Sequence, residues 1–119
     1  MLNDRSPLAQ AVAAALPGRL PDRFLWQNGG SWYRVRTHRY ADSALVVVDP
    51  RPLPLGLTER EVDVLTEIVS GRTNAEIAAT LVLSPSTVAK HVEHVLAKLD
   101  RDTRTAAAVR AAQEGLRRL

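Results

Sequence analysis

His91 and His94 lie three residues apart, in a stretch that also carries Ser86, Thr87, Lys90, Glu93 and Lys98. Two imidazoles at i, i+3 on one helix face can bind a metal ion. No third ligand lies near them in the sequence, so no metal site is expected. The chain has no cysteine, which removes thiolate nucleophiles, disulfides and Cys-based metal sites together. Ser31, Ser43 and Ser70 have no triad-like setting with the three histidines, and there is no glycine-rich nucleotide loop. Glu59, Glu61, Asp63 and Glu67 read as a solvated helix face rather than an acidic catalytic cluster. No enzyme chemistry and no cofactor are expected. What the residues between Ser84 and Leu99 suit is contact with a polyanion, because short hydroxyl side chains and lysines on a helix can reach phosphates and base edges.

The elements that would position these residues follow from pattern and punctuation. Thr58 with Glu61 makes a capping box, and Leu57 with Val62 a hydrophobic staple. Val62, Leu65, Ile68 and Val69 then form a buried stripe that ends near Gly71. Thr73 with Glu76 is a second capping box, opening a short helix with Ile77 and Leu81 inside. Val82-Leu83 is the turn. Ser84-Pro85 opens a long helix, an N-cap followed by proline at the first helical position. Val88, Val92, Val95, Leu96 and Leu99 share its buried face. Ser86, Ala89, Lys90, Glu93, His94, Ala97 and Lys98 face out. Thr103 caps a fourth helix, Arg104–Glu114, which stops at Gly115. A short helix, a tight turn and a longer helix make the helix-turn-helix arrangement, in which the first helix braces the second and the second can enter the major groove.

The N-terminal half has a different texture. Ser6–Leu16 predicts a short helix with Leu8, Val12 and Leu16 in one stripe. Phe24–Gln27 and Ser31–His38 predict strands around Asn28-Gly29-Gly30, where Asn-Gly is a strong hairpin signal. Ala44–Asp49 predicts a third strand. In the middle strand Tyr33, Val35 and Thr37 share one face. Trp32, Arg34, Arg36 and His38 share the other, which reads as solvated. Pro50, Pro52 and Pro54 predict a semi-rigid linker. The expected organisation is a 1–49 segment (a helix plus three strands), a 50–56 proline-rich linker and a 57–119 helical domain. So small a first segment must pack on the helical half or on a second copy through an open strand edge.

Composition sets the outer limits. The chain has 119 residues, 45% of them hydrophobic and only 4% aromatic, so its core is aliphatic and rich in alanine. Net charge is +3 with a pI near 9.9. The excess lies in residues 1–55, while residues 56–119 balance nine bases against nine acids. A polyanion site in the helical half must therefore come from local charge placement. The longest apolar runs, Ala11–Leu16 and Ala44–Val48, fall far short of the ~20 residues that cross a bilayer. No signal peptide is expected at the start, no membrane partner is expected, and a cytoplasmic location fits.

Leu-Thr-Glu-Arg-Glu (57–61), Gly-Arg-Thr-Asn-Ala-Glu-Ile-Ala (71–78), Leu-Ser-Pro-Ser-Thr-Val-Ala-Lys-His-Val (83–92), Lys-Leu (98–99) and Arg104 together resemble the LuxR-type helix-turn-helix domain of bacterial transcription factors. The resemblance covers about residues 55–115. It implies a four-helix DNA-binding module, and with the N-terminal pattern read above the expected fold is α+β: a C-terminal four-helix helix-turn-helix domain preceded by a short helix and a three-stranded antiparallel meander. It implies a regulator that binds double-stranded DNA as a homodimer, with 84–99 as the recognition helix. The resemblance implies DNA contacts at Asn74, Ser86, Thr87, Lys90, His91 and Lys98, with Lys98 on the phosphate backbone, and the helix N-termini and outward face of helix 84–99 add Thr73, Ala89, Glu93 and His94. Arg60 and Glu61 would tie helices together by ion pairing. The dimer contact it implies is helix 104–114, through Ala107, Arg110, Ala111 and Glu114. Ala89 departs from the family, which very often has a basic residue there, and Glu93 is acidic. Two other readings remain: a protein–protein adaptor that keeps the fold without DNA binding, and a module resembling sigma-factor region four. The N-terminal segment resembles the end of a PAS- or GAF-like sensor domain, and at its size no small-molecule ligand is expected.

Overall fold

The computed structural model describes residues 21–119; the helix expected at Ser6–Leu16 lies outside them. A three-stranded antiparallel sheet of order β1-β2-β3 is followed by four helices. The strands are β1 (Arg23–Asn28), β2 (Ser31–Arg39) and β3 (Ala44–Pro50). The helices are α1 (Glu59–Val69), α2 (Asn74–Leu81), α3 (Pro85–Lys98) and α4 (Arg104–Glu114).

The β1–β2 hairpin pairs Asn28 with Ser31, so its two-residue turn is Gly29-Gly30, with φ of +59° and +82°. Both glycines supply the positive φ that a type I′ hairpin turn demands. The turn thus sits one residue later than the Asn28-Gly29 signal suggested, because Asn28 is still paired in the ladder. Phe24, Val35 and Thr37 are buried on one face, with Trp26, Tyr33, Val46 and Val48 packed beside Phe24 and Val35. The opposite face is not uniformly solvated. Trp32 packs against the helical core and Arg34 is half-buried, while Arg36 and His38 remain exposed.

The sheet and the helices share one apolar cluster. Leu25 of β1 is buried with Leu57, Val62, Leu65, Val95, Leu99, Ala107, Ala111 and Leu116. Leu53, within the proline-rich stretch, also packs on it, and a single 3-10 turn at Pro54–Gly56 follows. A second cluster of Val64, Ile68, Ile77, Ala78 and Val88 holds α1, α2 and α3 together. The segment after α4 then returns to the sheet. The Leu25 N–H donates to the Arg117 carbonyl at 2.7 Å, and the Leu119 N–H donates to the Leu25 carbonyl at 2.9 Å. The Arg118 guanidinium donates to Asp63 of α1 at 2.8 Å and lies 5.1 Å from the Trp32 ring centroid. Gly115 makes this return possible. Its φ is +68°, and a Cβ there would meet the Arg23 Cβ at 2.3 Å.

Candidate nucleic-acid interface

Both N-terminal signals of the helix-turn-helix take the form the sequence predicts. Thr73 Oγ1 accepts from the Glu76 N–H, and Glu76 Oε1 accepts from the Thr73 N–H. Ser84 Oγ accepts from the Thr87 N–H at 3.2 Å and lies 2.8 Å from the Thr87 hydroxyl. Between these two starts, Val82 ends α2 with φ +55°. A β-branched residue in that left-handed region is strained, and its side chain is 88% exposed. The turn geometry that sets α3 against α2 is therefore held despite the local preference of its residue.

Three stripes run along α3. Val88, Val95 and Leu99 are fully buried, with Val92 and Leu96 half-buried beside them. Ser86, Ala89, Lys90, Glu93 and Ala97 are exposed on the opposite side. Lys90 has no hydrogen-bond or ion-pair partner among the described residues. The third stripe, His91, His94 and Lys98, turns toward the start of α1. There Lys98 Nζ donates to Glu61 Oε1 at 2.5 Å and to the Gly56 carbonyl at 2.8 Å. His94 Nδ1 lies 3.6 Å from Glu61 Oε2. Glu61 is buried, and burial alone would raise its pKa. The Lys98 hydrogen bond, the Thr58 N–H and the Lys98 charge outweigh that and hold it below the usual glutamate value.

This geometry revises several expectations. Lys98, expected on the phosphate backbone, commits two of its three ammonium hydrogens to Glu61 and to the Gly56 carbonyl. Glu61 ties α1 to α3, as expected of it, but Arg60 pairs within its own helix, with Asp63 at 3.6 Å. Thr73 uses its hydroxyl as a cap, and Asn74 Oδ1 accepts from Arg104 Nη1 at 2.6 Å. Thr87 and His91 are half-buried; Ser86, Ala89, Lys90, Glu93 and His94 are open. Ala107 and Ala111 have no exposed surface and lie in the shared core, so they cannot meet a second chain. Their small size instead lets α4 pack closely on its own neighbours. Arg110 is likewise engaged internally, donating to the Leu99 carbonyl and to Glu114. The exposed side of α4 carries Thr105, Val109, Ala112 and Gln113, with Val109 50% exposed.

Two features escaped the sequence reading. Glu61, placed on a solvated face by charge pattern and between helices by the family resemblance, also lies beside His91 and His94, with one ligand atom of each within 4.8 Å of the others. Arg118 joins α1 to the sheet. Neither has a local signal, since the partners are at least thirty residues apart in the chain.

Residues 55–111 match the family of bacterial regulatory proteins, luxR family. The uncharacterized transcriptional regulatory protein YhcZ of Bacillus subtilis (strain 168) is 53% identical over 60 residues, which cover 50% of this chain and 28% of that protein. The nitrate/nitrite response regulator protein NarP of Escherichia coli (strain K12) is 45% identical over 53 residues, 44% of this chain and 25% of that protein. The chain thus spans about a quarter of the length of these curated relatives. Among solved structures, the Vibrio cholerae VqmA–ligand–DNA complex superposes with a TM-score of 0.51 at 16% identity, covering 93% of this chain and 65% of that one. At that identity the likeness concerns the fold. No helix among the described residues is long and apolar enough to cross a membrane.

Proposed function

We propose, from the match of residues 55–111 to the luxR family of bacterial regulatory proteins, that this chain is a sequence-specific DNA-binding regulator that lays α3 in the major groove and acts as a homodimer. The observation that carries the reading is the outer stripe of α3. Ser86, Ala89, Lys90 and Glu93 stand clear of the protein while Val88, Val95 and Leu99 anchor the helix from behind. Lys90 supplies a cation with no partner among the described residues, and Ala89 is short enough to let the backbone approach the bases. Glu93 can accept from a cytosine amino group and would repel phosphate elsewhere, so it acts as a discriminator. The dimer contact in this reading is the exposed side of α4, centred on Val109. Two copies would then read half-sites about one helical turn, ~10 bp, apart. VqmA, which shares the fold, is described as a dimer in the absence of target DNA and in a complex with ligand and DNA; that parallel supports the reading.

The adaptor reading keeps one argument. With Lys98 neutralised by Glu61, the outer stripe has one lysine opposed by one glutamate. Selection of bound duplexes from a random pool, followed by titration at two salt concentrations, separates the two. A regulator yields an enriched motif and an affinity that falls steeply with salt; an adaptor yields no retained duplex even at low salt. Val109→Glu should shift the sedimenting species toward monomer, and an unchanged profile would move the seam elsewhere.

A further inference from the structure

We propose that Glu61, His91 and His94 form a binding site for a divalent transition-metal ion, with Zn2+ as its natural probe. The three side chains reach one point from two elements. His91 and His94 lie one turn apart on α3, and Glu61 lies in the first turn of α1. One ligand atom from each lies within 4.8 Å of the other two.

The carboxylate is fixed before any ion arrives. Its Oε1 accepts from the Thr58 N–H at 2.9 Å and from Lys98 Nζ at 2.5 Å. Its Oε2 accepts no hydrogen bond among the described residues and faces His94 Nδ1 at 3.6 Å. A buried glutamate with one oxygen committed and the other aimed at an imidazole is an oriented ligand. Lys98 and Thr58 serve as the outer partners that hold it in place.

The donor set selects the ion class. Two imidazoles and one carboxylate, with a fourth position left to water, match open zinc sites. Imidazole suits borderline ions such as Zn2+, whereas Mg2+ requires a shell of oxygen atoms. Zinc–ligand bonds of about 2.0–2.2 Å require the donor atoms to draw in to roughly 3.3 Å apart. His94, whose side chain is 60% exposed, can make that movement by side-chain rotation. The nearby Lys98 charge opposes the ion and keeps the affinity below that of a closed structural site. A bound ion would cross-link the start of α1 to the middle of α3.

Titration calorimetry of the full chain with Zn2+ tests this, alongside thermal melts in Zn2+ and in Mg2+. The expected result is one ion per chain and a raised Tm in Zn2+ but not in Mg2+. His94→Asn changes an exposed position and should abolish both responses. His91→Gln, which removes the other imidazole ligand, should likewise abolish saturable binding, and His38→Gln, on exposed β2 surface, should leave it unchanged. Absence of saturable Zn2+ binding, or a His94→Asn chain that binds and is stabilised like the original, overturns the proposal. Neither readout involves DNA, so the outcome is independent of the proposed function.

Discussion

The chain has only two lysines, Lys90 and Lys98, and both lie on α3. In the sequence they look alike: cations on the outward side of one helix. In the fold they differ completely. Lys90 projects from the exposed stripe with no partner among the described residues, whereas Lys98 is drawn in against Glu61 and Gly56. The first is available to a ligand and the second holds the helix in place. A helix that reads another molecule needs both, because side chains can discriminate only if the rod that carries them is rigidly set. The middle of the helix presents; its C-terminal end is fastened.

The contrast can be broken by changing each lysine in turn. Lys98→Ala should have the largest effect on folding, about 3 kcal/mol of lost stability, since it leaves Glu61 buried without its counter-charge. Chemical denaturation would measure it. An unchanged midpoint would mean that Lys98 is free after all. Lys90→Ala should leave stability within about 0.5 kcal/mol, as for an exposed site, but cost about 1–3 kcal/mol of duplex affinity and alter the preferred sequence. If both variants lose binding while remaining equally stable, the division between presenting and fastening fails.

The fastening end also has a pH signature. Glu61 titrates below its ordinary value when folded, so its contribution is fully present above the unfolded carboxylate value. It is lost as pH falls through the lower folded value. Stability should therefore fall as pH drops below about 4.5, and Glu61→Gln should flatten that part of the profile while lowering stability at neutral pH. A parallel profile in the variant would show that other carboxylates govern acid unfolding. The smallest effect concerns the turn that aims the presenting region. Val82→Asn should stabilise by about 0.5–1 kcal/mol, since Asn tolerates a left-handed backbone better than a β-branched residue. A loss of stability there would mean that the exposed Val82 side chain has contacts of its own in solution.

What could be read from the chain beforehand divides along physical lines. The helices and their starts were legible because capping boxes and prolines act within four residues: Thr58–Glu61, Thr73–Glu76 and Ser84-Pro85 all begin helices where expected. The strands were legible from period-two alternation, with the hairpin turn displaced by one residue. Which polar residues of α3 are free was not legible. Lys98 and Glu61 are 37 residues apart, and helical periodicity places Lys98 outside without saying what comes to meet it. The same gap misdirected Ala107 and Ala111. A stripe of small residues signals close approach, and only the assembled core shows that the neighbour belongs to the same chain. The acidic run on α1 divides: Glu59 is exposed, as a solvated face requires, whereas Glu61 is buried and ties α1 to α3.

Residues 117–119 run beside β1 and bond both backbone groups of Leu25. They act as a cork on that rim of the sheet. Deleting residues 117–119 would leave the Leu25 amide and carbonyl without these partners on the free edge of β1, a template on which other copies could stack. A trimmed chain is therefore expected to clump on storage even though every helix and cap described above is still present.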